Sequence, residues 1–281
     1  MKLHSFNISN FRVDGGAMFG VVPKVIWSRY VKPDENNLIP LALRSLIIET
    51  NNRLILIDNG IGDKQDDKFM KHLYLYGGEG LEGGIAKGGY RMEDITDVIM
   101  THLHFDHCGG GIILDESGRY AARFPNADYW VSRRQWENAM NPNLREADSF
   151  LEENLLPIRD LGLLKLIEKE GDFAEGVELR MVDGHTPGQL IPLIHFEGRT
   201  LLFGADLFPM AAHIPVKYNM AYDLEVIKTM DEKQSFLAEA HNKNYTIFFE
   251  HDTINECGTV KLGKRGYVLD ESFDLQSFIQ S

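Results

Sequence analysis

The 281-residue sequence has only two cysteines, Cys108 and Cys257. Two thiols make no disulfide framework, so a packed core must hold the fold, and a reducing compartment suits it. No apolar run approaches the roughly 18 residues of a membrane span. The N-terminal stretch MKLHSFNISNFRVDGG alternates apolar and polar residues and lacks the apolar centre of a signal peptide. A cytoplasmic protein with no membrane partner is the expectation. Positive charge is also scarce. Lys and Arg number 29 against 42 Asp and Glu, a formal net charge of −13. Such a surface repels phosphate backbones, which argues against a nucleic-acid partner. No internal repeat or low-complexity linker divides the chain, so residues 1–281 read as a single domain large enough for a sizeable core.

What is present is concentrated in one stretch. Thr101–Gly110 reads THLHFDHCGG and places His102, His104, Asp106 and His107 within six residues. The short β-branched run before it, Asp97–Met100, predicts a strand, and Gly109–Gly111 follow, so the cluster sits on a loop at a strand end. Alternation in an extended segment points His102 and His104 the same way. Asp106 and His107 come after the chain begins to turn and can address a second point. Two nearby points, each offered imidazole and carboxylate, suggest two divalent metal ions, with zinc the first candidate. His185, Asp206 and His251 each stand just past another predicted strand, Val177–Val182, Thr200–Ala205 and Tyr245–Phe249. If those strand ends share one edge, all seven side chains meet there.

Elsewhere, strands are predicted at Leu3–Phe11, Leu43–Thr50, Leu54–Asp58, Ile95–Thr101, Tyr129–Ser132, Leu164–Lys169, Leu190–Phe196 and Tyr267–Leu269. Helices are predicted at Arg133–Met140, at Glu146–Asp160 with Pro157 kinking it or ending it early, and from Ala221 to about Asn242 with Asp223 as N-cap. The glycine-rich segment Ile61–Glu93 reads as a lid or pocket wall. Asp14–Asn37 is apolar without a clean period, and Met18, Phe19 and Trp27 within it are candidate pocket residues.

The series His102-x-His104-x-Asp106-His107, then His185, Asp206 and His251, resembles the metallo-β-lactamase-fold hydrolases. The resemblance implies an α+β fold, a four-layer αββα sandwich with the metals at one edge of the two sheets. It implies one zinc on His102, His104 and His185, a second on Asp106, His107 and His251, and Asp206 bridging them. Asp58 matches a strand-end aspartate near the site, where it would orient a ligand imidazole. Two ions about 3.5–4 Å apart would activate a water for attack on a carbonyl or phosphorus centre, with Asp106 as the proton shuttle.

The variable positions narrow the branch. Histidine rather than glutamate at 104 favours hydrolysis over di-iron redox chemistry, and aspartate rather than cysteine at 206 argues against antibiotic hydrolysis. Gly184-His185-Thr186-Pro187-Gly188-Gln189 and the apolar Asp14–Trp27 segment resemble the N-acyl-homoserine lactone lactonases and their methyl parathion hydrolase-like relatives. That implies a small-molecule substrate with an apolar acyl group, quorum quenching, and a homodimer. The same fold also carries aryl ester and organophosphate hydrolases and thioesterases, and a non-catalytic ligand-sensing protein is the reading from another class. One departure stands out. The lactonases carry a tyrosine three residues after the bridging aspartate, where this chain has Pro209. His213 is the expected replacement donor to the substrate carbonyl, and Tyr222 is the second candidate.

Overall fold

The run Leu41–Thr50 is apolar on both alternating faces, which suits a strand covered on two sides. In the computed structural model, which describes residues 1–281, Leu46 and Ile48 point to one layer and Ile47 to another. The first sheet has six strands in the order Lys2–Asp14, Leu38–Thr50, Arg53–Ile57, Asp97–Ile99, Asp128–Ser132 and Leu164–Ile167. The second has seven, in the order Gly266–Phe273, Cys257–Gly263, Thr246–Phe248, Arg199–Phe203, Gln189–Phe196, Val177–Val182 and Gly171–Ala174. Leu46, Ile48, Ile55, Ile57 and Ile99 of the first sheet meet Leu179, Leu193, Phe203 and Ile247 of the second in the largest core cluster. Ile47, Leu56 and Val98 turn the other way, toward Ile85, Trp136, Leu155 and Ile158 of the helices Leu81–Lys87, Arg133–Met140 and Glu152–Asp160. The long helix Val226–Lys243 covers the second sheet through Leu237 and Ala240. The layers therefore run helix, sheet, sheet, helix. No helix is long and apolar enough to cross a membrane.

Parallel pairing positions the site. Arg53–Ile57, Asp97–Ile99 and Asp128–Ser132 run parallel in the first sheet, as do Arg199–Phe203 and Thr246–Phe248 in the second. Parallel strands deliver their C-terminal loops to one edge. Cross-links join the two sheets at that edge. Leu190 N donates to Thr101 O at 2.8 Å, Ala42 N to His251 O at 3.0 Å and Arg44 N to Glu250 O at 3.2 Å. Asp58 (φ 52°) and Ala205 (φ 41°) stand in the left-handed region just past their strands. Such backbone costs of order 1–3 kcal/mol, and surrounding bonds must hold it.

Three elements differ from the sequence expectation. The long helix begins at Val226 rather than Ala221, with Glu225 before it, because the Asp223 side chain is held elsewhere. The predicted helix Glu146–Asp160 is reduced to Glu152–Asp160 after a short turn at Ala147–Ser149, since Glu146 reaches into the site. Pro157 lies inside that helix without ending it. The Ile61–Glu93 segment contains two short helices, Asp67–His72 and Leu81–Lys87. Gly78, at φ 80°, lets the chain between them cross the first strand, where a Cβ would stand 2.3 Å from Ile8 O.

Candidate metal centre and active site

The strand-end loops bring His102, His104, His185 and Asp206 into one group of donor atoms, and Asp106, His107 and His251 into a second beside it. In the first group, His104 Nδ1 lies 3.0 Å from His102 Nε2 and 3.2 Å from His185 Nε2. Asp206 Oδ2 lies 3.1 Å from His185 Nε2 and 3.8 Å from His102 Nε2. In the second, His107 Nε2 lies 3.3 Å from His251 Nε2, and Asp106 Oδ2 is 3.7 and 3.8 Å from these nitrogens. The other oxygen of Asp206, Oδ1, is 3.1 Å from His251 Nε2. Asp206 thus faces both groups, with Oδ2 also 3.7 Å from His107 Nε2.

The outward ring nitrogens explain why the inward ones converge. His104 Nε2 is 3.0 Å from Glu146 Oε1, His107 Nδ1 is 3.0 Å from Asp58 Oδ2, and His185 Nδ1 is 2.9 Å from Asp223 Oδ1. His251 Nδ1 is 2.8 Å from Ala42 O. Thr101 gives its hydroxyl hydrogen to Asp58 Oδ2 at 2.6 Å, so its oxygen accepts from His102 Nδ1 at 3.1 Å. Each imidazole therefore has an acceptor for its outward N–H, which fixes the tautomer and aims a lone pair inward. The inward nitrogens so aimed lie 3.0–3.3 Å apart. A tetrahedral ion with nitrogens at about 2.0–2.1 Å would hold its ligands at roughly that spacing. The donor set fits a divalent cation in each group.

Charge in the metal-free cluster agrees with this. Burial opposes protonation of His185, but Asp206 and Asp223 outweigh it and hold the imidazole up to about 10. Burial likewise opposes protonation of His251, yet Asp206 and Glu250 raise it to about 9. Burial lowers His102 and His104, helped by their cationic neighbours. Asp206 stays well below the usual carboxylate range despite its burial, because His107, His185 and His251 face it. Protons here occupy the places that cations would take. Burial, with Asp58 nearby, pushes the Glu250 carboxyl up to about 8, and its Oε2 lies 3.3 Å from His107 Nδ1.

Thr101, Glu146, Asp223 and Glu250 were not singled out from sequence as parts of the site. Asp223 reads as a helix cap, and Glu146 as a residue of a predicted helix. Only Asn143, three residues before Glu146, whose side chain accepts from the backbone of Arg145 and Glu146, marks that stretch as a turn.

His104, Asp106, His185, Asp206 and His251 form the floor of a cavity of about 670 Å³, with His102 and His107 buried beneath them. Phe11, Met18, Leu38, Leu41, Leu73 and Met220 supply an apolar wall, and Phe105 lies beside the floor. Tyr222 stands in the lining, partly exposed. Burial of its hydroxyl end, with Asp106 and Asp14 near, holds the phenol up to about 12, so it is a donor at neutral pH. Three sequence expectations are corrected here. Phe19 and Trp27 do not line the cavity. Their rings stack on each other at 5.3 Å in the core behind it. His213 does not face the cavity either. It is 1% exposed, its Nε2 is 2.8 Å from Met18 O, and its ring stacks on Phe19. Pro209 places its carbonyl 3.0 Å from His251 N.

Residues 40–251 match the Metallo-beta-lactamase superfamily. The chain belongs to that superfamily. Within it, an N-acyl homoserine lactonase of Bacillus sp is 28% identical over 174 residues, 57% of this chain. That match spans 61% of the lactonase's own length. Among solved structures, a Staphylococcus aureus protein described as a probable metal-dependent hydrolase superposes with a TM-score of 0.85 at 30% identity, covering 97% of this chain and 98% of its own. AidC, a dizinc quorum-quenching lactonase in complex with an acyl-homoserine product, superposes with a TM-score of 0.79 at 20% identity over 97% of each chain.

Proposed function

We propose that this superfamily member is a dinuclear zinc hydrolase that opens a lactone or ester bearing an apolar acyl group, N-acyl-homoserine lactones foremost. The carrying observation is the pair of inward-facing donor groups, shared through Asp206, at the floor of an apolar-walled cavity. The similarity to N-acyl homoserine lactonases supports the substrate class. When bound, two divalent ions would bring the pKa of a water toward neutrality and polarise the substrate oxygen.

The chain's own residues do the rest. His102, His104 and His185 would hold one ion, and Asp106, His107 and His251 the other, with Asp206 between them. Asp58, Glu146 and Asp223 keep the ring N–H groups outward and the lone pairs inward. Tyr222 takes the place left by Pro209 and His213: its protonated hydroxyl donates to the substrate carbonyl oxygen, where charge develops. Asp106 lies at the cavity edge of the floor. Its carboxylate accepts the attacking water's proton and returns it to the leaving alkoxide. The apolar wall seats the acyl chain and excludes water from the reacting carbonyl. A homodimer is proposed from the family likeness and is checked by sedimentation velocity.

The test is metal counting by elemental analysis, together with turnover followed by proton release. N-acyl-homoserine lactones, aryl esters, thioesters and paraoxon-type substrates form the panel. Two zinc ions per chain and kcat/KM of about 10⁴ M⁻¹s⁻¹ or more on the lactones is the expected result. Full zinc loading with no turnover anywhere on the panel would replace the enzyme by a ligand-sensing protein. Strong phosphotriester turnover beside weak lactone turnover would keep the centre and change the substrate.

A further inference from the structure

Behind the apolar wall lies a stack of three rings that the hydrolytic step does not use. Trp27 lies on Phe19 at 5.3 Å with an interplanar angle of 4°, and Phe19 lies on His213 at 4.8 Å and 12°. All three are buried. Burial, with the Lys233 ammonium near, holds the His213 imidazole down to about 4, so it carries one ring proton at neutral pH. Its Nδ1 is buried with no hydrogen-bond partner. The proton therefore belongs on Nε2, which donates to the Met18 carbonyl at 2.8 Å.

Both ends of that bond are tied down. His213 stands seven residues after Asp206 on one loop. Along that loop, Pro209 O accepts from His251 N at 3.0 Å and Ala211 N donates to Asp252 Oδ2 at 3.0 Å. The loop is thus fixed to the metal floor at its start and along its length. Met18 belongs to the short helix Gly15–Phe19, which presses so closely on the stack that a Cβ at Gly15 would lie 2.4 Å from the Trp27 ring. A second clasp, Ala221 N to Ala17 O at 2.7 Å, holds the same helix. The Met18 side chain, which lines the cavity, is thereby set at a fixed height above the floor.

We infer that His213 is a positioning residue that sets, through Met18, the length of acyl chain the cavity accepts. The inference rests on the reading above that an acyl group lies along the apolar wall. It assigns His213 no contact with substrate. His213→Phe keeps a ring in the stack and removes the N–H. His213→Gln removes the ring and keeps an N–H within reach of the same carbonyl.

The experiment uses zinc-loaded protein labelled with methyl-¹³C methionine, with the Met18 signal assigned through Met18→Leu. Butyrate and decanoate are titrated as probes, beside turnover of N-butanoyl- and N-decanoyl-homoserine lactone. Decanoate is expected to shift the Met18 methyl signal. In His213→Phe, decanoate binding and the decanoyl-to-butanoyl ratio of kcat/KM should each fall about tenfold, within the range for a poorly filled apolar subsite. Butyrate affinity and butanoyl kcat should stay unchanged, and His213→Gln should recover part of the loss. Equal weakening of both chain lengths, or no weakening, overturns the inference. Should the wild type turn over neither lactone, the proposed function fails while the butyrate and decanoate titrations still decide this question. Should His213→Phe not fold by circular dichroism, Phe19→Leu loosens the same stack. It must then give the same chain-length split, and its absence overturns the inference.

Discussion

At the floor of the cavity and just beneath it, five imidazoles each direct an outward N–H to a fixed oxygen. Along the wall, Phe11, Met18, Leu38, Leu41, Leu73 and Met220 present surfaces with no directional side-chain partner. The floor is specified by hydrogen bonds, and its geometry leaves little freedom. The wall is specified by packing, and what anchors it lies one layer behind, in the Trp27–Phe19–His213 stack. The proposed chemistry thus falls to the part held by directed bonds, and the proposed selectivity to the part whose shape a few side chains can change.

The largest test of this division strikes the floor. Asp206→Ala removes the one carboxylate turned to both donor groups. It should lower metal occupancy below two per chain and turnover by more than the roughly 100-fold ceiling typical of a ligand's hydrogen-bond partner. Elemental analysis and initial rates measure both, and full occupancy would break the bridging assignment. Asp58→Ala comes next. Its carboxylate holds His107 directly and His102 through Thr101. We expect a 10- to 100-fold weakening of metal affinity in chelator competition. The loss should be felt at both ions, and a loss at one alone would show that Thr101 carries no tension to His102.

Acidity sharpens the contrast further. His185 and His251 in the metal-free protein sit at about 10 and about 9, above the ordinary 6.5. Their stabilising contribution is therefore complete below about pH 6.5. It is lost as pH rises through 9 and 10. The melting temperature of the stripped protein should fall across that window. Zinc affinity should rise across it, because each departing proton frees a ligand. Parallel scans of stripped and loaded protein check the opposite trends. The smallest effect is at the wall. Leu41→Ala should raise KM for a long-chain lactone by about tenfold while kcat and metal content hold steady. A fall in kcat of the same size would mean that the wall also places the reacting carbonyl.

The same contrast governs what could be read from sequence. His102, His104, Asp106 and His107 stand on one short loop, and the ligand types at 185, 206 and 251 follow predicted strands. Their convergence follows from parallel strands ending at a common edge. The αββα layering follows from strands apolar on both faces. The residues that hold the imidazoles were hidden for different reasons. Asp223 has the profile of a helix cap, and only its distance of 2.9 Å to His185 Nδ1 reveals its other use. Glu146 sits among helix formers, while tertiary bonds from His104 and Asn138 pull it out of the helix. Phe19 and Trp27 as pocket residues, and His213 as a donor to the substrate, are misplaced for a related reason. An aromatic ring beside a site is as useful stacked behind the wall as exposed in it, and no local pattern separates the two. Tyr222, far along the chain from any ligand-bearing strand end, enters the lining only because the chain between Ala205 and Asp223 folds back over the first helix.

The bond between His251 Nδ1 and the Ala42 carbonyl spans 209 positions of sequence. During synthesis, a ribosome that has released the chain through residue 200 has delivered His102, His104, Asp106, His107 and His185, but neither Asp206 nor His251. Five strong donors are then exposed to whatever cation is at hand, before the carboxylate that joins the two groups exists. Long-range closure of this kind is slow. The two donor groups are accordingly complete only once the last strands of the second sheet dock and Ala42 receives its partner.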